Sequence, residues 1–231
     1  MERRGECLRE KQKKLVLDLF DTVGEERERE RGGGSGVPTV WKVLVFDEKA
    51  SDVIAQVARK EDLREKGVTL FLPLRSSRQK IPDAPAVYIV APTKANIEAI
   101  SRDCAARLYS GFHIHFLSKL PDDLMRLLAE NAVRQKFASV IEKVYDDYVD
   151  FVCLADSLVS LNMPNSYLNF NDFTLSEGSI QEKITEVVQG LFSVIVTWQE
   201  IPIIRAPPNT LASMIAEELN EILRAHLMRT D

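Results

Sequence analysis

AVYIVAPTKANIEAISRDCAARLY, Ala86–Tyr109, is the stretch that decides the fold. Val87 to Val90 is an unbroken apolar run, the character of a strand buried on both faces. Ala91 and Pro92 stop it, and Thr93 is placed to cap a helix. Ile97, Ile100, Cys104 and Leu108 then recur at helical spacing. A buried strand leading directly into an amphipathic helix is the repeating unit of a parallel sheet covered by helices.

The same pattern extends to both sides. VWKVLVFD, Val40–Asp47, predicts a central parallel strand, and Ser51 to Arg59 a helix. Gly67 opens VTLFLPL, a second strand, and the Pro-rich IPDAPA separates it from the third. FHIHFLS, Phe112–Ser118, makes a fourth. Pro121 with Asp122 and Asp123 suits the first turn of the helix DDLMRLLAENAVRQ, because Pro is tolerated there and acids favour the dipole. Phe137, Val140, Ile141, Val144 and Tyr148 fit a further helical stripe. The expected fold class is α/β, a doubly wound parallel sheet over residues 37–148.

Residues 1–36 read as a leader helix, Leu8–Phe20, and a charged, Gly-rich linker, Gly24–Gly36. Past the sheet, FVCLADSLVSL is a strand candidate, Leu161–Ser179 a long loop and EKITEVVQGLFSVIVTW a helix. PIIRAP, Pro202–Pro207, reads as a strand, and Thr210 begins a last helix. Two strands and two helices are too few to close a buried parallel sheet. Residues 149–231 are therefore expected to be the opening part of a second, incomplete α/β domain, which either borrows the first one's surface or has its remaining strands missing from the chain.

Composition narrows the function. In 231 residues, 30 Lys and Arg oppose 35 Asp and Glu, a net charge of −5, so nothing holds a polyanion and nucleic acid is not an expected partner. Three cysteines without CxxC spacing, and no signal peptide or long apolar span, predict a cytoplasmic protein that is not inserted in a membrane. Expected enzyme signals fail in turn. VFDEKASD replaces a GxGxxG after the first strand, and the glycines from Gly32 to Gly36 lack the Lys and Ser/Thr of a P-loop. Asp47 reads as a turn cap rather than a phosphoacceptor. His113 and His115 share a strand face but have no third ligand, and are expected at the strand surface. No cofactor and no metal are expected. Two functions remain: a binding scaffold, or an α/β small-molecule-binding or hydrolytic enzyme with unrecognised motifs.

The motifs VWKVLVFDEKASDVI, GVTLFLPLRSSRQKIPDAPAVYIVAPTKANI, YDDYVDFVCLADSLVSL and VIVTWQEIPIIRAP resemble the N-terminal part of SM proteins. This is the Sec-one/Munc-eighteen class of syntaxin-binding regulators of SNARE-mediated fusion. The leader helix is similar to that of the Sly-type branch, which acts in ER-to-Golgi transport. The resemblance implies a non-catalytic protein, recruited peripherally to ER and Golgi membranes through SNAREs, whose first domain binds the N-terminal peptide of a syntaxin. It also implies a site. Met125, Leu128 and Ala129 form one stripe by spacing, with Ile141 and Val144 placed to face it. Such stripes are ordinarily plain core, but in this family a hydrophobic pocket from the same region receives a Phe of the peptide. Asp122 and Asp123 would pair with a basic residue or the free amine of that peptide.

Overall fold

The computed structural model describes residues 7–21, 23, 41–172 and 174–227. Five strands, β1 (Lys42–Phe46), β2 (Val68–Pro73), β3 (Ala86–Val90), β4 (Phe112–Phe116) and β5 (Ile141–Asp146), form one sheet in the order β2-β1-β3-β4-β5. All its pairings are parallel. The strand order reverses between β1 and β3, the switch point of a doubly wound sheet.

Val43, Val45, Tyr88, Phe112 and Ile114 are buried in one apolar cluster, and Leu44, Val87 and Ile89 in another. Both faces are thus covered, which is why the inner strands read as continuous apolar runs. The first cluster lies under α4 (Lys94–Ala105) and α5 (Asp122–Arg134). The second lies under α1 (Leu8–Asp18), α2 (Glu48–Val57) and α3 (Lys60–Glu65). Helix starts follow the sequence closely. Asp47 accepts from Ala50 N at 2.9 Å to cap α2, and Thr93 Oγ1 accepts from Asn96 N at 3.3 Å to cap α4.

The sequence sets the leader apart, yet α1 is seated in the core. Leu8, Val16, Leu19 and Phe20 share the cluster of Leu44 and Val53. Gln12, wholly buried, donates from Nε2 to Phe151 O at 2.7 Å, and Lys11 Nζ donates to Trp198 O at 2.8 Å. Its polar side chains satisfy carbonyls that would otherwise be buried unpaired. The linker Gly24–Gly36 lies outside the described residues.

Several expectations are corrected. Residues 137–148 are not a helix: Lys136 takes a φ of 55°, a short 3-10 turn covers Ala138–Val140, and Ile141 begins β5. β-branched Ile141 and Val144 with Tyr145 favour the strand. FVCLADSLVSL is two strands rather than one, β6 (Val152–Ala155) and β7 (Leu158–Ser160), paired antiparallel about a turn at Asp156 and Ser157. The loop after it contains a short helix, α6 (Ser166–Asn171). Then α7 (Glu177–Trp198), capped by Ser176, packs on α8 (Leu211–Leu227) through Ile184, Val188, Phe192, Leu219 and Leu223. Pro202–Pro207 is not a strand; no described strand pairs with it, and its prolines remove ladder donors.

Candidate functional site

Helix α5 crosses the sheet beside its edge strand β5, with Leu128, Asn131 and Ala132 buried beneath it. Asn131 Nδ2 donates to Ser101 Oγ at 3.3 Å, which ties α5 to α4. Leu128 is 3% exposed and packs in the cluster of Phe112, Ile114 and Phe137, so it serves as a floor. Met125 is 44% exposed, and Ala129 is exposed one turn on. The row continues to Val133, 77% exposed, which the sequence reading missed although it stands four residues beyond Ala129.

Ile141 and Val144 lie on β5, not on a helix. On a regular strand two residues three apart point to opposite faces. Here they do not, because the pairing slips: Phe112 opposes Ile141, His113 opposes Lys143 and Ile114 opposes Val144. Glu142 is the extra residue of a bulge. Ile141 and Val144 therefore share the face of Phe112 and Ile114, half-buried against the cluster that holds Leu128. The bulge also explains why the stretch mimics a helical stripe, since it breaks the two-residue alternation of a strand.

The rim is acidic. Asp122 and Asp123 are exposed in the first turn of α5. Just before them, Leu120 N donates to Asp146 Oδ1 at 3.0 Å, which brings the end of β5 against the helix start. Burial raises the pKa of Asp146, and the hydrogen bond from Leu120 opposes that shift. Leu128, Ile141 and Val144 thus share one apolar cluster, with Asp146 held at the start of α5 and Met125 and Ala129 exposed on the helix. Such a surface suits a peptide carrying an apolar anchor and a positive charge.

The other candidates are committed to structure. Asp47 Oδ2 accepts from Ala91 N at 2.9 Å and Asn96 Nδ2 at 2.7 Å, while its Oδ1 caps α2. Its carboxylate thereby stitches the switch point, beside a cleft of about 790 Å³ lined by Phe46, Lys49, Arg75 and Thr93. His113 and His115 share a face as expected, but they are buried rather than at the surface. Each has a carboxylate partner: His113 Nε2 is 2.8 Å from Glu142 Oε2, and His115 Nδ1 is 2.9 Å from Asp147 Oδ2. Their neighbours Glu142, Tyr145 and Asp147 come from β5 and the residue after it, which the sequence pattern of one strand does not reveal. Among the described residues no group of three or more His, Cys, Asp or Glu is placed to hold a metal, and no helix is long and apolar enough to cross a membrane.

A parallel sheet in this order, covered by apolar clusters on both faces, defines a doubly wound α/β domain. The chain matches the Sec1 family over residues 42–231 and belongs to it. Protein sly1 of Schizosaccharomyces pombe is 41% identical over 191 residues, 83% of this chain and 30% of that protein. SEC1 family transport protein SLY1 of Arabidopsis thaliana is 35% identical over 221 residues, 96% of this chain and 35% of that protein. The chain spans about a third of the length of these curated relatives. Among solved structures, Sly1p in complex with an N-terminal peptide of Sed5p superposes with a TM-score of 0.84 at 33% identity, covering 99% of this chain and 40% of that one. Vps45 in complex with the Qa SNARE Tlg2 has a TM-score of 0.79 at 17% identity over 97% of this chain and 37% of that one, a likeness of fold.

Proposed function

We propose that this chain binds the N-terminal peptide of a syntaxin-type SNARE through the α5–β5 face, as the opening part of a non-catalytic regulator of vesicle fusion in ER-to-Golgi transport. The observation that carries this reading is the coincidence of that apolar, acid-rimmed face with a fold match to Sly1p, a protein solved with an N-terminal peptide of Sed5p. The whole face falls within residues 37–148, which on this reading form the peptide-binding domain, with residues 149–231 as the opening part of a second α/β domain. The protein reaches ER and Golgi membranes from the cytoplasm by holding the SNARE, not by inserting into lipid.

An aromatic side chain of the peptide settles over Leu128, between Met125 and Ala129 on the helix and Ile141 and Val144 on the strand. Ala129 is the small member of that set and leaves the space. Burying a Phe contributes roughly 1.5–3 kcal/mol, which after the cost of ordering a peptide gives micromolar binding. Asp122 attracts a basic residue or the free amine, worth about 0–1 kcal/mol at an exposed position. The competing enzymatic reading has little to stand on at the switch point, where Asp47 is already bound by three donors. Titration of the chain with the Sed5p N-terminal peptide tests the proposal. Micromolar binding that is lost in Ala129→Arg supports it, and absence of binding to the wild-type chain overturns it.

A further inference from the structure

Bulges between parallel strands are rare; this sheet has one register shift between β1 and β2 and another between β4 and β5, and in the second the extra residue has a specific partner. Glu142, its extra residue, sends its carboxylate back across the neighbouring strand to His113 Nε2, at 2.8 Å. Gly111 leaves room for that path, since a Cβ at this position would overlap the Glu142 carboxylate. His113 itself is buried, and its Nδ1 has no hydrogen-bond partner. The neutral ring therefore carries its hydrogen on Nε2 and donates it to Glu142.

We propose that the His113–Glu142 pair is a positioning device that holds the bulge and so seats Ile141 beside Val144, completing the peptide-binding face; this rests on the peptide reading above. In a regular strand Ile141 would project with Lys143 and Tyr145. Those two residues oppose His113 and His115, and the Tyr145 ring stacks on His115 with centroids 5.0 Å apart. Ile141 would then leave the face that receives the peptide. The Glu142 side chain is 35% exposed and its carboxylate is directed to His113, so it acts through the strand.

The test compares wild type, Glu142→Ala, Glu142→Gln and Gly111→Ala by titration with the Sed5p N-terminal peptide, and with the same peptide after Phe→Ala replacement. Thermal unfolding of each variant runs alongside. Glu142→Ala and Gly111→Ala are expected to bind about tenfold more weakly, the size of one lost charge-assisted hydrogen bond. Glu142→Gln, whose amide oxygen still accepts from Nε2, is expected to stay within about twofold of wild type. The Phe-less peptide is expected to show no difference among the variants. Equal binding by folded Glu142→Ala and wild type overturns the inference alone, as does Glu142→Gln binding as weakly as Glu142→Ala. Failure of the wild-type chain to bind overturns the peptide reading and this inference with it. Should Glu142→Ala not fold, Gly111→Ala against Glu142→Gln decides on the same criteria.

Discussion

Lys49 Nζ lies 2.8 Å from Asp150 Oδ2, which joins the first turn of α2 to the segment that leaves the sheet after β5. Lys49 also stands 3.6 Å from Glu186 on α7. Asp150 is 4% exposed and its Oδ1 has no partner, so burial holds its pKa above the usual carboxylate range while Lys49 pulls it down. Lys49→Met leaves that carboxylate buried and alone. The expected loss is about 1–3 kcal/mol of unfolding free energy in urea, smaller than for a fully buried pair because Lys49 is partly solvated. Asp150→Asn in the Lys49→Met background is expected to recover most of it. A double variant no better than Lys49→Met would show that the pair is not what the site needs.

His113 supplies a pH dependence of defined sign. Burial lowers its pKa below 6.5, helped by the charges of His115 and Lys143 and opposed by Glu142. The unfolded chain therefore takes up this proton first as pH falls. The stability it confers is fully present above about pH 6.5 and declines as pH drops from there through the lower folded value. The slope is bounded at about 1.4 kcal/mol per pH unit. Unfolding free energies at several pH values between neutrality and pH 5, compared with His113→Gln, isolate the effect. A variant with the same slope as wild type would show that another group is responsible.

The sheet is legible in the sequence because strands buried on both faces carry unbroken apolar runs, as Val87–Val90 does. What escapes is anything set by long-range pairing. Ile141 and Val144, three apart, share a face only because Glu142 is the extra residue in the pairing with another strand. No local window contains that fact. Ile203 and Ile204 have a strand-like composition, yet a strand exists only beside a partner, and none is paired with them among the described residues. At the site, the stripe Met125, Leu128 and Ala129 was readable by period alone. Which of the three is floor and which is surface depends on how α5 is rotated over Phe112 and Ile114, and period does not give that.

The segment around Pro202–Pro207 is expected to be the first to exchange its amide hydrogens. Ile201 is 65% and Ile203 84% exposed, and the segment has no ladder bonds. Amides of β1, β3 and β4, in the buried middle of the sheet, should be the slowest. The hairpin β6–β7 should fall between them, because Val152 and Cys153 are buried against α1 while Leu154 and Leu158 are exposed. Mass-spectrometric exchange of peptides covering these three regions settles the order. Protection at residues 200–206 equal to that of β3 would mean that a partner, such as a second copy, covers them in solution.

Position on α5 should separate stability from binding. Leu128→Ala removes a buried side chain from the cluster of Phe112 and Phe137, and is expected to cost about 2–4 kcal/mol of stability. An arginine at the same site would bury a charge without a partner, so its loss of binding would be uninformative. Ala129 and Val133 face solvent one turn apart, and substitutions there should leave stability within about 0.5 kcal/mol of wild type. Ala129→Arg fills the space left for the peptide's aromatic group and should abolish measurable binding of the Sed5p peptide. Val133→Asp tests how far along the helix the contact reaches. If the peptide continues along the Met125–Ala129–Val133 row, Val133→Asp weakens binding severalfold, because a charge then meets apolar surface. If the contact ends at Ala129, affinity is unchanged. Circular dichroism and urea unfolding on each variant, followed by calorimetric titration, distinguish these outcomes, and an Ala129→Arg protein that is folded and binds like wild type would place the peptide away from α5 altogether.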